Sequence, residues 1–486
     1  LYHTEETWEL YRAASNRKGR TIKKALRRAH RENVEKASAS PEGLWRMAKW
    51  ARNRNTQVPE VTSTLQHPNT LRMVSEPAEK AEIFRKAFFP VPREADLNDI
   101  ERTTYPDRIS LPPITEQKEV ERTIHETSPY KAPGPDGIIN RVLQLAAAWI
   151  TPHLTSIFNQ SLNLGYCPRH FRESITVVLR KQGKDNYANP GPYRPIGLLN
   201  TIGKIMDAII ATRLSYVAET HNLLPPTHVG GRKLRSTEHA IHHIIDKFYE
   251  AWNRGRGQVA SLLLLDVSGA FDNVSHKRLL HNLRKRRIDE KTVRWISSLL
   301  EDRNTRISID GLMTERHSVS TGTVQGSPLS PILYILYSAD LIESCSLAED
   351  ITATGFTDDM AILIWGDTTT ETCSKLQQVL RLAEKWAKSH ALVFSPSKFQ
   401  LVHFTRARTR IDKERPLQTA WGEIPAKPTC KYLGLTMDDT LRWKPHVDEI
   451  QRKATKTISA LSSLGNSTWG LTLRDMKKIY RGVVIP

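Results

Sequence analysis

The clearest alternation of apolar and polar positions lies in residues 351–366, which read ITATGFTDDMAILIWG. Apolar residues alternate on both sides of an adjacent aspartate pair, Asp358 and Asp359. This pattern predicts two strands, and because aspartate favours turns, we expect the hairpin to reverse at the pair. Carboxylates held that close raise each other's pKa unless a cation lies nearby. Mg²⁺, which prefers oxygen ligands, is the natural cation for such a tip.

An aspartate pair alone is weak evidence, because a solvated turn explains it equally well. The chain contains a second pair, Asp438 and Asp439, in GLTMDDTLRW, and no apolar strand pattern follows it. The flanking strands therefore distinguish the first pair from the second.

A second acidic strand end lies in residues 261–272, which read SLLLLDVSGAFD. Residues 262–265 predict a short buried strand that ends at Asp266. A carboxylate there should be exposed or bound to metal, since burying it unpaired is costly. The alternative is an aspartate that caps a helix at 270–280. If the two acidic tips meet, Asp266 and Asp358 can hold two Mg²⁺ ions for an in-line phosphoryl displacement.

The remaining periodicity predicts further helices and strands along the chain. The prediction places a strand at 175–179, a basic helical C-terminal region at 445–486, and helices at 76–89, 140–165, 202–216, 236–252, 333–341 and 376–386.

The charge balance points to a polyanionic partner. The chain has 486 residues and a net charge of +19, with a pI of about 9.7, and nucleic acid is the first candidate for such a chain. Lys and Arg are dense between Arg17 and Arg31. For this run we favour a helix with a solvated basic face over a dedicated RNA-binding arm.

Cysteine spacing and hydropathy exclude several protein classes. Cys167, Cys345, Cys373 and Cys430 are far apart and form no C-x₂-C pair, so neither a zinc site nor a disulfide framework is indicated, and a reducing compartment fits. No stretch approaches the length of a membrane span, and no signal peptide is visible. The chain starts without methionine and stops beside VVIP, so we expect a piece of a longer protein.

Three strings resemble the motifs A, B and C of reverse transcriptases, in the same order: LLLLDVSGAFDNV, TGTVQGSPLSPILY and FTDDM. SPYKAPGPDGI upstream and KYLGL downstream resemble the non-LTR (LINE-type) retrotransposon branch. The resemblance covers roughly residues 128–435. It implies an α+β chain with a right-hand polymerase fold, which has fingers, a palm of an antiparallel sheet plus helices, and the start of a helical thumb.

The resemblance also implies a division of the chain. We expect a basic helical N-terminal segment at 1–60 and a linker with a docked helix at 61–125. Fingers and pre-palm would occupy 126–255, the palm 256–437, and the start of the thumb 438–486. The reverse transcriptase domain itself would span about 162–437.

The matched motifs imply metal ligands. Asp266 and Asp358 would bind both Mg²⁺ ions, for which Mn²⁺ is a possible substitute. The backbone carbonyl of Val267 would assist, and Asp359 would support the site from its edge.

They imply a nucleotide site and a primer grip as well. Phe271 would lie beneath the incoming sugar and exclude a 2′-hydroxyl, although packing in the core explains it equally well without the resemblance. Asp272 and Asn273 are predicted to cap a helix. The other nucleotide-binding residues would be Lys181, Arg194, Gln325, Gly326 and Lys398, and the primer grip would be Tyr432, Leu433 and Gly434.

The function that follows is RNA-directed DNA polymerisation, which copies retrotransposon RNA into DNA. The partners would be an RNA template, a DNA primer or target DNA, and deoxynucleoside triphosphates, without a membrane. An endonuclease and further C-terminal domains would belong to missing parts of the chain. We expect an intracellular location, in a cytoplasmic ribonucleoprotein and the nucleus.

Three alternatives stay open. An RNA-dependent RNA polymerase would keep the fold, but Phe271 argues against it. A catalytically silent RNA-binding remnant is kept open by Thr357, where the family usually has alanine, and by departures from the family pattern near His228. A group II intron maturase-like enzyme is less favoured because of the KAPGPDGI element.

Overall fold

The computed structural model describes residues 5–53, 61–112, 114, 117–255, 258–346, 348–407, 411–465 and 468–485. The chain divides into two units. The larger unit is Glu60–Arg442, and the smaller combines Leu1–Pro59 with Trp443–Pro486.

The described residues form thirteen α-helices and sixteen strands. The helices are α1 Glu5–Ser38, α2 Pro41–Asn53, α3 Pro77–Phe88, α4 Gln117–Glu126, α5 Asn140–Leu164, α6 Thr201–Thr220, α7 Thr237–Arg254, α8 His276–Lys285, α9 Glu290–Leu300, α10 Ser330–Cys345, α11 Thr369–Ser389, α12 Lys444–Leu461 and α13 Leu473–Ile479. The strands are β1 Leu65–Gln66, β2 Met73–Val74, β3 Glu173–Arg180, β4 Tyr193–Leu199, β5 Val259–Ser268, β6 Arg303–Ile309, β7 Leu312–Met313, β8 His317–Val319, β9 Ile351–Phe356, β10 Asp359–Gly366, β11 Val393–Phe394, β12 Gln400–Phe404, β13 Leu417–Thr419, β14 Gly422–Ile424, β15 Thr429–Tyr432 and β16 Leu435–Asp438.

The central sheet of the larger unit contains the two strands that carry the candidate aspartates. Its order is β11-β5-β10-β9, and β12 also pairs with β5. Residues 259–265 of β5 are all buried, although neighbouring side chains of a strand point to opposite faces. Both faces of the sheet are therefore covered at β5. Helices α7, α10 and α11 pack on this sheet.

A second sheet has the order β4-β3-β6-β7, with β8 also paired to β6. Strand β3 contains the strand predicted at 175–179 and pairs with β4 in antiparallel fashion. Helix α3 docks against this sheet, where Phe84 and Phe88 share a core with Tyr193, Ile307 and Ile309. The predicted helix at 76–89 is confirmed. The surrounding segment also contains the β1–β2 hairpin, and α4 follows it.

Most of the predicted helices are confirmed with small shifts at their ends. The helices predicted at 140–165, 202–216 and 236–252 are α5, α6 and α7. The helices predicted at 333–341 and 376–386 are longer at both ends and form α10 and α11. Helix α11 starts earlier because the Thr368 side chain accepts a hydrogen bond from the Glu371 amide and caps it. The mixed α+β class is therefore confirmed.

Strand β5 is longer than the sequence predicts. It ends at Ser268 and not at Asp266. Val267 and Ser268 stay extended because they pair with Phe394 and Val393 of β11. The carboxylate of Asp266 thus lies on a strand that continues past it.

The predicted helix start after β5 is wrong. Helix α8 begins at His276, and the residues predicted to open it form turns. Gly269 has a φ of +56°, and the Asn273 side chain donates to the carbonyls of Ser268 and Gly269, both at 3.1 Å. The helix is capped by Ser275, whose side chain accepts from the Arg278 amide.

The smaller unit has its own core. Buried residues of α1 and α2 pack with residues of the C-terminal helices, among them Val34, Leu44, Leu464 and Ile479. The basic run predicted on a helix lies on α1, a helix of 34 residues. Its Lys and Arg side chains between residues 17 and 31 are exposed. The C-terminal region is helical, as predicted.

Two further predictions concern cysteines and membranes. Cys167, Cys345, Cys373 and Cys430 are all buried thiols without a disulfide bond. Across the described ranges, no helix combines the length and the apolarity needed to cross a bilayer.

One buried acid makes the stability of the larger unit depend on pH. Asp207 of α6 is 2% exposed and accepts a hydrogen bond from the Ser327 hydroxyl at 2.6 Å. Burial raises the pKa of Asp207 to about 7, against the opposing effects of Ser327 and Lys204. Because the folded pKa lies above the unfolded value of about 3.9, the folded state binds more protons between these values. Stability should therefore fall as pH rises from about 4 to about 7.

We expect Asp207→Asn to remove this dependence, because an amide of the same shape carries no charge. The melting temperature of the variant should exceed that of the wild type at pH 8, by an amount that shrinks at pH 5. Asp185→Asn is the matched control. Asp185 is exposed, so this substitution should leave the melting temperature unchanged at both pH values. An equal difference between variant and wild type at both pH values would contradict the assignment.

Candidate active site

The register of the central sheet brings the predicted acidic tips together. Strand β10 pairs with β5 in antiparallel fashion, and Asp359 lies directly opposite Asp266. Residues opposite each other on paired strands share a face of the sheet. Strand β10 also pairs with β9, where Asp359 faces Phe356, so Thr357 and Asp358 form a two-residue turn. The hairpin therefore reverses at Thr357 and Asp358, one residue earlier than the aspartate pair itself.

The turn is strained and is held in place from the side. Thr357 has a φ of +58°, which is rare for a β-branched residue. The segment before Gly230 pairs with the edge of β9: Val229 donates to the Gly355 carbonyl at 2.8 Å, and Gly355 donates to Thr227 at 3.0 Å. A Cβ atom on Gly230 would lie 2.3 Å from the Thr357 nitrogen. The backbone therefore needs glycine here to approach the turn.

The electrostatics of the tip show an excess of negative charge. Asp358 and Asp359 remain in contact with solvent, yet both have raised pKa values. Partial burial raises the pKa of Asp358 and the charge of Asp266 adds to the rise, while Arg194 and Lys398 oppose it. Partial burial, Asp358 and Asp266 raise the pKa of Asp359 to about 6. The positive charges of Arg194 and Lys398 therefore offset the repulsion among the carboxylates only in part.

One lysine reaches the centre of the carboxylate group. The Lys398 ammonium donates to Asp266 Oδ1 at 2.9 Å, and the Asp266 carbonyl accepts from the Ser395 amide at 2.9 Å. The 3₁₀ turn Pro396–Lys398 thus follows β11 and folds back over β5. Lys398, predicted to bind the nucleotide, therefore lies beside the aspartates.

The donor chemistry of the tip suits a divalent cation. Carboxylate oxygens are the ligands that Mg²⁺ prefers. Partial burial and then the charges of neighbouring carboxylates raise the pKa values of Asp358 and Asp359, and a bound cation would favour their ionised forms. Val267 follows Asp266 on the same strand. In the part of the chain that the structure describes, no three His, Cys, Asp or Glu side chains are already arranged to hold a metal ion. The carboxylate oxygens therefore suit Mg²⁺, but the side chains that carry them are not already arranged around a metal ion.

Cations line the side of the tip nearest the second sheet. Lys181 follows β3, and Arg194 lies on β4 opposite Leu179. Burial lowers the pKa of Lys181, and the nearby charges of Arg194 and Lys398 lower it further. The Lys181 ammonium donates to the Gly191 carbonyl at 2.8 Å. Lys181, Arg194 and Lys398, predicted from separate motifs, therefore form one cationic cluster.

The loop before α10 is fastened to the turn after β5. The Thr323 amide donates to the Phe271 carbonyl at 2.8 Å, and the Gly197 amide of β4 donates to the Gln325 carbonyl at 2.7 Å. Gly326 has a φ of +122°, and a Cβ atom there would lie 2.6 Å from the Gly197 oxygen. Gln325 and Gly326 are thus placed between the two sheets.

Phe271 sits at the edge of the hydrophobic core. Its ring contacts Tyr334 of α10, with centroids 4.9 Å apart, and it packs partly buried against the main core. It lies in a turn and not in the helix that the sequence predicts. Both interpretations of Phe271, packing and sugar contact, remain compatible with this position.

The sequence missed a role for Asp272. It does not cap α8. Its carboxylate accepts a hydrogen bond from the Gln325 amide at 2.9 Å, and partial burial raises its pKa to about 6. Neither does Asn273 cap the helix, since it bonds to carbonyls of the turn. No local pattern in the sequence distinguishes an aspartate that caps a helix from one whose carboxylate bonds to a loop much later in the chain.

The predicted primer-grip residues form a tight hairpin. Tyr432 pairs with Leu435 across β15 and β16, so Leu433 and Gly434 make a two-residue turn with φ values of +47° and +91°. Two positive φ values are typical of the turns that join twisted hairpin strands. Tyr432 is 3% exposed, and burial together with the charge of Asp359 raises its pKa. The hairpin therefore lies near the aspartate tip.

Comparison with known proteins agrees with this geometry. Residues 179–437 match the family described as "Reverse transcriptase (RNA-dependent DNA polymerase)". The chain is 27% identical to the "RNA-directed DNA polymerase from mobile element jockey" of Drosophila funebris, over 100% of this chain and 52% of that protein. It is 28% identical to the "Probable RNA-directed DNA polymerase from transposon X-element" of Drosophila melanogaster, over 77% of this chain and 41% of that protein.

The similarity extends to other mobile elements. The "Putative 115 kDa protein in type-1 retrotransposable element R1DM" of Drosophila melanogaster is 26% identical, over 84% of this chain and 38% of that protein. Among solved structures, an apo telomerase from Candida tropicalis truncated from its C-terminal domain has a TM-score of 0.38 and 13% identity, over 63% of this chain and 60% of that chain. The chain spans about half the length of the jockey polymerases that it matches. The chain belongs to the reverse transcriptase family, and its relatives place it in the non-LTR, LINE-type branch.

Proposed function

We propose that this chain is the polymerase region of an RNA-directed DNA polymerase that copies retrotransposon RNA into DNA. The observation that carries the proposal is the pairing of Asp266 with Asp359, which sets three carboxylates at one end of the central sheet. The names of the mobile-element relatives support the same activity. Because the chain covers about half of the jockey proteins, the activity of the whole protein, its substrates and its partners are part of this proposal.

The aspartates provide the metal site of the proposed reaction. Membership of the reverse transcriptase family implies dependence on a divalent metal. Asp266 and Asp358 would hold two Mg²⁺ ions, or Mn²⁺ in their place, with the Val267 carbonyl and Asp359 in support. Two bound ions lower the pKa of the primer 3′-hydroxyl and neutralise the leaving pyrophosphate. Lys398 would have to release Asp266 Oδ1, which it contacts at 2.9 Å, for a cation to take that oxygen.

The cationic cluster would bind the triphosphate. Arg194 is exposed, and guanidinium offers forked donors that suit phosphate oxygens. Burial lowers the pKa of Lys181, and the charges of Arg194 and Lys398 lower it further. An anion between these three groups would relieve the repulsion among them. Little covalent chemistry is needed from the protein, because positioning and charge neutralisation do most of the work in phosphoryl transfer.

The remaining layout follows the family. The sheet of β3, β4 and β6 would belong to the fingers, the central sheet to the palm, and α12 and α13 to the start of the thumb. The partners would be an RNA template, a DNA primer or target and deoxynucleoside triphosphates. We place the protein inside the cell, in a cytoplasmic ribonucleoprotein and the nucleus, because the template RNA and the target DNA are found there. Flanking domains, an endonuclease among them, complete the proposal.

Two rivals are distinguished by simple observations. A silent RNA-binding remnant would bind RNA without adding nucleotides, and the intact aspartate tip argues against it. An RNA-dependent RNA polymerase would add ribonucleotides readily, and the phenylalanine at position 271, proposed to exclude a 2′-hydroxyl, argues against it. A maturase-like enzyme would require an intron RNA as its partner.

Removing either shared aspartate should abolish nucleotide addition and leave RNA binding nearly unchanged. We expect Asp266→Asn or Asp358→Asn to lower primer extension with Mg²⁺ on a poly(A)–oligo(dT) template by at least about a hundredfold, since charge stabilisation at the reacting phosphate is lost. RNA affinity rests on dispersed Lys and Arg side chains and should not change.

Asp367→Asn is the matched control for this experiment. Asp367 is exposed and directly follows the last residue of β10, whereas Asp359 is the first residue of that strand. This variant should extend primers like the wild type. Normal extension by Asp266→Asn or Asp358→Asn would refute the metal assignment.

Sugar selection should depend on Phe271. An unpaired hydroxyl buried against a ring costs about 1–3 kcal/mol, which corresponds to roughly ten- to two-hundredfold discrimination. We expect Phe271→Val to admit ribonucleotides while DNA synthesis persists at a reduced rate. The measurement is the ratio of kcat/KM for dCTP to that for CTP in the wild type and the variant. An unchanged ratio would show that Phe271 serves only the core.

A further inference from the structure

Two arginines are buried beside the second sheet. Arg172 directly precedes β3, and Arg303 is the first residue of β6. Their exposed fractions are 8% and 4%. A guanidinium keeps its charge in a protein, and a buried charge is costly unless a group of opposite charge compensates it. Each of these arginines should therefore have an anionic partner.

The groups that accept hydrogen bonds from these arginines are neutral. Arg172 donates to the Glu301 carbonyl at 3.1 Å. Nη2 of Arg303 donates to the Gly322 carbonyl at 2.8 Å and lies 3.4 Å from Nε2 of His276. Burial and the charge of Arg303 lower the pKa of His276 to about 4, so this imidazole is neutral at pH 8. In the described part of the chain, neither guanidinium forms an ion pair with a carboxylate.

Three buried polar groups in this region lack a hydrogen-bond partner. Among the described residues, nothing accepts a hydrogen bond from Nε of Arg172 or from Nε of Arg303, and the hydroxyl of Thr323 has no partner either. Thr323 is as deeply buried as the arginines. Buried donors rarely stay unpaired in folded proteins. An acceptor that is not part of the described chain should therefore lie beside these side chains.

The three residues line one small cavity. Its volume is about 30 Å³, which is enough for one or two water molecules or for one monatomic ion. The same three residues also line a second cavity of about 20 Å³. A tetrahedral oxyanion such as phosphate is too large for either space. The volume therefore limits the ligand to water or a small ion.

The two carboxylates that line these cavities do not neutralise the arginines. Asp272 lines the first cavity and Asp207 the second. Burial raises the pKa of Asp272 to about 6, and the cation that opposes the rise is Lys181. Burial likewise raises the pKa of Asp207 to about 7, against the charge of Lys204. The pKa of Arg303 falls to about 10 through burial alone. Because a carboxylate close to Arg303 would oppose that fall, no described carboxylate compensates its charge.

We propose that the cavity lined by Arg172, Arg303 and Thr323 is a binding site for a halide ion, with chloride as its ordinary occupant. The ion accepts hydrogen bonds from the unpaired donors and neutralises positive charge that folding has buried. Water would satisfy the donors but not the charge. The site is independent of the proposed polymerase reaction. Its occupancy stabilises the folded state, because the unfolded chain has no such cavity.

The test measures the melting temperature of the full chain at pH 8 in sodium gluconate, with chloride or bromide replacing gluconate at a constant sodium concentration. Gluconate is too large for the cavity. Either halide should raise the melting temperature by on the order of 2 °C, and the rise should saturate with concentration. The line width in chloride NMR gives a direct readout. Exchange with the site should broaden the chloride resonance, and bromide should reverse the broadening.

Three variants assign the effect to the cavity. Arg303→Met removes the uncompensated charge and should abolish both the halide-dependent rise and the broadening that bromide reverses. Thr323→Val keeps the shape but removes one donor, so the chloride concentration at half of the rise should increase by on the order of tenfold. Arg306→Met is the matched control, because Arg306 lies on the same strand and is exposed. It should keep the full response.

Two outcomes overturn the proposal. A wild-type melting temperature that is the same in all three anions would show that the cavity holds water alone. A halide response that Arg303→Met and Thr323→Val keep as fully as Arg306→Met does would assign it to the exposed basic surface. If Arg303→Met does not fold, the melting temperature and line width of Thr323→Val decide between the halide site and these outcomes.

Discussion

The structure depends on the antiparallel register of β5 and β10. Asp266 and Asp359 lie opposite each other because residues 259–266 pair with residues 359–366 without a bulge. A slip of one residue would turn Asp266 to the other face of the sheet and separate the carboxylates. The register is fixed on both sides of β5, since β12 pairs with residues 260–264. The buried leucines that specify this pairing therefore also specify the site.

This register creates an electrostatic conflict that the surroundings partly resolve. Three carboxylates meet at one strand end, and a cluster of Lys181, Arg194 and Lys398 lies beside them. Opposite charges grouped in this way suit a ligand that combines metal cations with a polyanion, as a metal-bound nucleoside triphosphate does. Lys181 directly follows β3, Arg194 lies on β4, and Lys398 lies in the turn after β11. Both sheets of the larger unit therefore contribute to one site.

Strands and helices whose apolar residues repeat with a strong periodicity were predicted from the sequence, because the burial of their apolar side chains is enough to determine them. The resemblance to motifs, and not periodicity, predicted a shared metal site at Asp266 and Asp358 and a nucleotide contact at Lys398. Sequence-based prediction failed where contacts that leave no apolar periodicity decide local structure. Residues 269–273 read like a helix start, but the side chain of Asn273 and a positive φ at Gly269 hold them in turns.

Other features could not be predicted for the same reason. Asp272 resembles a cap until Gln325 is brought beside it. Gly230 is an ordinary turn residue in the sequence, and its need for glycine appears only when β9 and Thr357 pack against it. The packing of α1 and α2 with the C-terminal helices in one unit likewise joins segments that are distant in sequence.

Cleavage by a bound redox metal tests the central claim most directly. Fe²⁺ added in place of Mg²⁺, together with hydrogen peroxide and ascorbate, reduces the peroxide to hydroxyl radicals that cut the backbone next to the metal. Our account predicts cuts near Asp266 and near Asp358, which Mg²⁺ suppresses, and none near the comparison pair Asp438 and Asp439. Cuts near only one of the two strands, or cuts that Mg²⁺ does not suppress, would contradict a shared metal site at the paired ends of β5 and β10.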